Sequence, residues 1–303
     1  MLRYILPSTT SVLAAVMMLA FVQPVSAQDS VVDKITKALP DKAPFQPKQP
    51  RKLLVFSRTP GYRHAAIAVG IKAITLMGDK TSAYTVHASE NEAMFEPDKL
   101  KLFDAVLMLN TSGECLRPVG GDKESALKRE EMLKKSLVDF VAAGKGLAGI
   151  HGATATYQDW KDYTRLMGGV FESHPWGIVA KAPVKNLDPT NPVNAAFGGK
   201  DFIINDEIYQ FHNGTALPTE RRFLLAIDTS KMDVTKGIRK DGLYPISWIA
   251  NHGKGRNFYC SLGHQQEIYW NAAILRHYLA GIQFALGDLD ANATATGERK
   301  KPG

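Results

Sequence analysis

Apolar positions fall into two kinds of block that take turns along the first half of the chain. "RKLLVFS" (51–57), "FDAVLMLNTSG" (103–113) and "GLAGIH" (146–151) are short, nearly unbroken apolar runs, and "AYTVHAS" (83–89) alternates. Such runs predict strands, the unbroken ones buried on both faces. Between them, residues 64–77, 123–144 and 159–169 carry apolar side chains at helical spacing, and Gly144 supplies a C-terminal stop. Strand and helix in alternation predict an α/β fold, a mostly parallel sheet with helices on both faces.

The second half reads differently. "WGIVAKAPVK" (176–185), "FLLAIDTS" (223–230), "LYPISWIANH" (243–252) and "RNFYCSLGH" (256–264) are strand-like with few helices between them. "NHGKGRN" is a glycine-rich hairpin turn. These strands are expected to continue the sheet as a small antiparallel extension, closed by a last helix over 271–286.

Both ends look different from this core. Arg3 is the sole charge before Asp29, "SVLAAVMMLAF" (11–21) is apolar, and "VSA" ends at Ala27. That is the pattern of a secretory signal peptide cleaved after Ala27, which implies a periplasmic or secreted protein. The apolar run is short for a bilayer span, so no integral membrane protein is expected. Residues 28–50 read as a flexible linker and 287–303 as a disordered tail, leaving 51–286 as the domain. The net charge of +7 is scattered rather than clustered, which argues against a nucleic-acid partner. Cys115 and Cys260 are the only cysteines, and two thiols in an exported chain leave pairing open.

Parallel sheets bind ligands beyond the carboxyl ends of their strands, so the residues there carry the candidate chemistry. His151 sits between Gly149 and Gly152 where a strand ends, and His264 ends "FYCSLGH" with Glu267 three residues on. These three are the candidate catalytic residues, since imidazole holds both protonation states near neutral pH. His64 opens a helix with Arg63 just before it, and Asn110 ends a strand; with the aromatic faces of Trp176 and Tyr209 they are candidate substrate contacts. His174 in "GGVFESHPWG" and Glu207 in "NDEIYQFH" are candidate metal ligands. Histidine and glutamate from several loops suit a divalent ion such as zinc, although no HExxH, HxH or CxxC spacing occurs.

"SRTPGYRHAAI", "GLAGIHGATAT" with "LMGGVFESHPW", "NDEIY" and "GKGRNFYCSLGH", in this order, resemble the trehalose-utilisation, or ThuA-like, family over about 51–286. The resemblance implies a flavodoxin-like sandwich similar to class I glutamine amidotransferases. His151 stands where those enzymes hold a cysteine nucleophile and His264 where they hold a later histidine, with Glu267 one residue beyond their glutamate. Without a thiol at that turn, glutamine amidotransfer is not available. The resemblance implies instead an enzyme acting on a small-molecule carbohydrate. A 3-keto-disaccharide or glycoside would be cleaved, as by a lyase or hydrolase, through histidine acid–base or metal-assisted chemistry, alongside a pathway oxidoreductase. Three alternatives stay open. One is a carbohydrate-binding protein using Tyr62, Trp176, Tyr209 and Trp248 without turnover; the others are a metal-dependent hydrolase of another substrate class and an interaction module for the oxidoreductase.

Overall fold

The computed structural model of the chain describes residues 1–2 and 27–297. All but the ends of the signal-peptide reading, and the last residues of the tail, lie outside the described residues. In chain order the elements are α1 (Ala27–Ala38), β1 (Lys52–Phe56), α2 (Ile67–Thr81), β2 (Thr85–Ser89), α3 (Pro97–Leu100), β3 (Ala105–Leu109) and α4 (Lys123–Ala142). Next come β4 (Gly146–Ile150), α5 (Lys161–Met167), β5 (Phe171–Ser173), β6 (Ile178–Asn186), β7 (Phe202–Glu207) and β8 (Gln210–Phe211). The chain continues with β9 (Arg222–Ile227), β10 (Pro245–His252), β11 (Gly255–Cys260) and α6 (Ala272–Leu286).

Nine strands form one sheet in the order β2-β1-β3-β4-β11-β10-β9-β6-β7. The first five run parallel and the last four are joined by antiparallel pairing. The parallel half has the flavodoxin-like order. Because side chains alternate across a strand, the buried runs feed two cores. Leu53, Val55, Leu107 and Ile150 pack with residues of α1, α2 and α6. Leu54, Phe56, Met108 and Leu147 pack on the other face with residues of α4 and α5. Cys260 belongs to the first core and Cys115 to the second, and both thiols are free and buried.

The antiparallel part is larger than the small extension expected, and it is bent. Four strand spacings separate β11 from β7, roughly 19 Å in a flat sheet, yet Asp206 Oδ2 lies 2.6 Å from the Gly263 amide just past β11. The pairing of β6 with β7 shifts register between Val179 and Ala182, and Lys181 has φ 65°. A bulge of this kind bends its strand, and here it accompanies the curl that brings the end of β7 over the carboxyl rim of the parallel half. β5 and β8 form a separate two-stranded patch.

Two expectations about the ends are corrected. Residues 28–50 are not a loose linker: α1 buries Ile35, Leu39 and Ala43 are also buried, and the Phe45 amide donates to Gln283 Oε1 at 3.4 Å. Val31, Ile35 and Leu39 lie at helical spacing, a signal masked by the charged residues around them. The tail is ordered as far as described. Leu289 is buried, Arg51 pairs with Asp288 at 2.6 Å, and the Gly297 amide donates to Pro218 O at 2.7 Å. Among the described residues no helix is long and apolar enough to cross a membrane.

Candidate functional site

Strands β1, β4 and β11 point their carboxyl ends at the same rim, and each is followed by a histidine of the site. His151 comes directly after β4 with φ 48°, a left-handed conformation that swings its side chain out of the strand. This turn packs tightly on the one after β3: a Cβ on Gly152 would lie 2.9 Å from Thr111 O. Past β11, Gly263 has φ 134° and presents His264; a Cβ there would lie 2.8 Å from Ile150 Cγ2. His64 lies in the turn before α2, which starts at Ile67 rather than at His64, so the histidine is not the helix opener expected. Glu207 is the last residue of β7. Asp206 and Glu207, adjacent acids of a kind usually left in solvent, are both buried there.

One ligand atom from each of His64, His151, Glu207 and His264 falls within 4.8 Å of the others. His151 Nε2 and His264 Nδ1 lie 3.5 and 3.2 Å from Glu207 Oε2. A tetrahedral ion with bonds near 2.1 Å needs ligand atoms about 3.4 Å apart, the spacing these pairs already have. His151 Nδ1 donates to Ser261 O at 2.6 Å, which leaves its Nε2 as a bare lone pair facing the carboxylate. His151 is fully buried, and its Nε2, His64 Nδ1 and His264 Nδ1 are buried atoms without a hydrogen-bond partner.

The charges are tightly linked. Burial pushes the Glu207 carboxyl up, but the imidazoles of His151 and His264 outweigh it and hold the group well below the usual carboxylate range. Burial, with His151 and His264 beside it, holds the His64 imidazole down at about 3. The contact with Glu207 raises His264. With its imidazoles neutral, the site offers their lone pairs beside an ionised carboxylate, a donor set that fits a borderline divalent cation.

Other predicted residues divide. His174 reaches the rim, half exposed, with Nδ1 3.5 Å from Glu207 Oε1. Tyr209 is buried and lies against the His151 ring at 4.2 Å, forming a wall of the site. Asn110 is no substrate contact. It is buried, its amide donates to Gly263 O and Tyr269 Oη, and its Oδ1 accepts from the Gly152 amide, so it ties the two histidine turns together. Arg63 is held by Glu90 at 2.7 Å in an exposed pair. Trp176 packs edge-on against Tyr244 at 5.1 Å, outside the cluster. Glu267 is exposed, with no ion pair among the described residues; Glu207 takes the part assigned to it. The sequence reading overlooked Asp206 as a functional residue, and its position beside Glu207 was the only signal. It is fully buried, and burial raises its carboxyl.

A flavodoxin-like sheet whose strand ends gather three histidines and a glutamate defines an α/β protein with a histidine–carboxylate centre at the carboxyl rim of its parallel strands. The chain belongs to the ThuA family, described as trehalose utilisation, whose model matches residues 52–285. It is similar in structure to a putative ThuA-like protein from Bacteroides uniformis, with a TM-score of 0.58 and 19% identity, covering 79% of this chain and 93% of that one. A second, from Parabacteroides merdae, gives 0.50 and 14%, covering 84% and 93%. No curated protein matches the sequence.

Proposed function

We propose that the chain is an exported, metal-dependent, carbohydrate-processing enzyme, with a divalent ion of the zinc type held by His64, His151, Glu207 and His264. One observation carries this reading: one ligand atom from each of the four residues lies within 4.8 Å of the others, and His64, His151 and His264 each hold a buried ring nitrogen without a hydrogen-bond partner. Buried polar atoms are nearly always bonded. A bare nitrogen facing a carboxylate oxygen is repulsive until a proton or a metal cation lies between them.

Bound there, such an ion would supply Lewis acidity by taking a carbonyl or hydroxyl oxygen of the sugar in addition to its four protein ligands. The chain's own residues do the rest. Ser261 O fixes the His151 tautomer, and Tyr209 closes the floor behind that ring. Tyr62, 67% exposed and edge-on to His64 at 4.7 Å, offers a sugar ring an apolar face. His174, at the open rim, is the proton carrier. The family suggests a glycoside with a ketone at C3. His174 would take the C2 proton, C1=C2 would form, and the C1–O bond to the leaving group would break, the departing oxygen regaining a proton. His151 and His264, candidate catalytic residues in the sequence, are ligands in this scheme, and His174, a candidate ligand there, is outside the ligand set.

The test is metal content and turnover of the purified protein on a 3-keto-disaccharide. About one ion per chain is expected, with turnover abolished by a chelator and restored by zinc. His151→Ala should lose both. His174→Ala should keep the ion and lose about 10²–10⁴-fold in turnover. A wild-type chain that takes up no ion from added zinc, with turnover indifferent to chelator, sinks the reading. Export predicts that the mature chain begins at Gln28.

A further inference from the structure

The residue beside the glutamate ligand has a second task that nothing in the family resemblance assigns. Asp206 Oδ2 accepts the Gly263 amide at 2.6 Å and Oδ1 accepts the Gln265 amide at 2.8 Å. These are the two residues flanking His264. A single carboxylate thus grips the backbone on both sides of one imidazole while Glu207, next in the chain, meets its ring at 3.2 Å. Both partners are main-chain N–H groups, so only an acceptor with two free oxygens serves both; an amide would turn its NH₂ toward one of them.

We propose that Asp206 is a positioning residue, a latch that locks the end of β7 to the turn after β11 and so sets Glu207 and His264 in register for the metal. The inference rests on the metal reading for its consequence and on hydrogen-bond geometry for its existence. Edge strand β7 reaches the site only because the sheet curls, and among the described residues no other carboxylate of β6 or β7 bonds a main-chain amide of that turn. Carboxylate–amide bonds are among the stronger hydrogen bonds, and groups orienting a metal ligand typically contribute 10–100-fold to affinity.

The test compares Asp206→Asn with Asp188→Asn. Asp188 is a buried carboxylate of the same half of the molecule that bonds Arg222 and Asn191, not the site. Zinc affinity is read by competition with a chromophoric chelator, and amide exchange at Gly263 and Gln265 in the metal-free proteins. Asp206→Asn should weaken zinc binding about 10–100-fold and speed exchange at those two amides at least tenfold while core amides stay protected. Asp188→Asn should lower thermal stability and leave zinc affinity and both amides as in wild type. Wild-type zinc affinity in Asp206→Asn, or unchanged exchange at both amides, overturns the proposal. Failure of the wild-type chain to take up zinc defeats the metal reading instead; the latch is then decided by amide exchange alone. If Asp206→Asn does not fold, Asp206→Ser, which keeps one acceptor, carries the same measurements.

Discussion

His277 and His151 are both wholly buried, and what separates a structural imidazole from one available for chemistry is the second nitrogen. In His277 both are engaged, Nδ1 with Val193 O and Nε2 with Ser247 Oγ, each at 2.9 Å. In His151 only Nδ1 is bonded, and Nε2 waits without a partner. The His277 environment has a measurable consequence. Burial holds its imidazole down at about 4, whereas an unfolded histidine titrates near 6.5. As pH falls from about 6.5 toward 4, the unfolded chain takes up a proton that the folded one refuses. His277 therefore favours folding fully above that window and loses about 3 kcal/mol of its contribution across it. Urea denaturation of wild type and His277→Gln at several pH values should show the wild type losing that much more on acidification. Parallel stability curves would contradict it.

At the scale of elements, helix α5 shows how tightly the support behind the His151 turn is built. Its last carbonyls are all received: Met167 O by Trp248 Nε1 at 2.9 Å, Leu166 O by His252 Nε2 at 3.0 Å, and Arg165 O by Arg221. Donors from β10 and from the turn before β9 thus satisfy a helix end that would otherwise leave orphan acceptors. Trp248, fully buried and stacked on Tyr259 at 4.4 Å, cannot be the sugar platform that its aromatic character suggested. Trp248→Phe should cost about 2–4 kcal/mol of stability, part cavity and part orphaned carbonyl, with ligand affinity of the folded protein unchanged. A loss of sugar binding at full stability would reverse that assignment. The parallel strands and the glycine-flanked histidines were legible in sequence, because unbroken apolar runs and tight turns are local signals. β7 was not, since "FIINDE" ends in two acids whose burial depends on a bend made elsewhere, at Lys181. Glu267 misled for the complementary reason: nearness in sequence to His264 is not nearness in space.

Over the whole molecule, the site is assembled from pieces that no single element holds. His64 hangs from the turn before α2 and His264 from the turn after β11, and α1 packs against both α2 and the Gln266–Trp270 turn that follows His264. Lys34 lies over the Trp270 ring at 5.1 Å, and Lys80 reaches back to donate to Leu39 O at 3.2 Å. Further along the same segment, Gln283 Nε2 donates to Phe45 O at 2.6 Å and the Lys48 amide donates to Asp288 at 3.0 Å. The segment before β1 is therefore a strap across the rear of two histidine-bearing turns, joined to the C-terminal helix and the residues beyond it. Its anchor is Ile35, with no exposed surface. Ile35→Ala removes three buried carbons from a packed site and should lower stability by about 2–4 kcal/mol, read as a shift in the urea midpoint at constant slope. The exposed substitution Lys37→Ala, on the same helix, should shift it by less than about 0.5 kcal/mol. A midpoint that does not move in Ile35→Ala would return residues 28–50 to the status of a loose linker and leave the two turns to be held by the sheet alone.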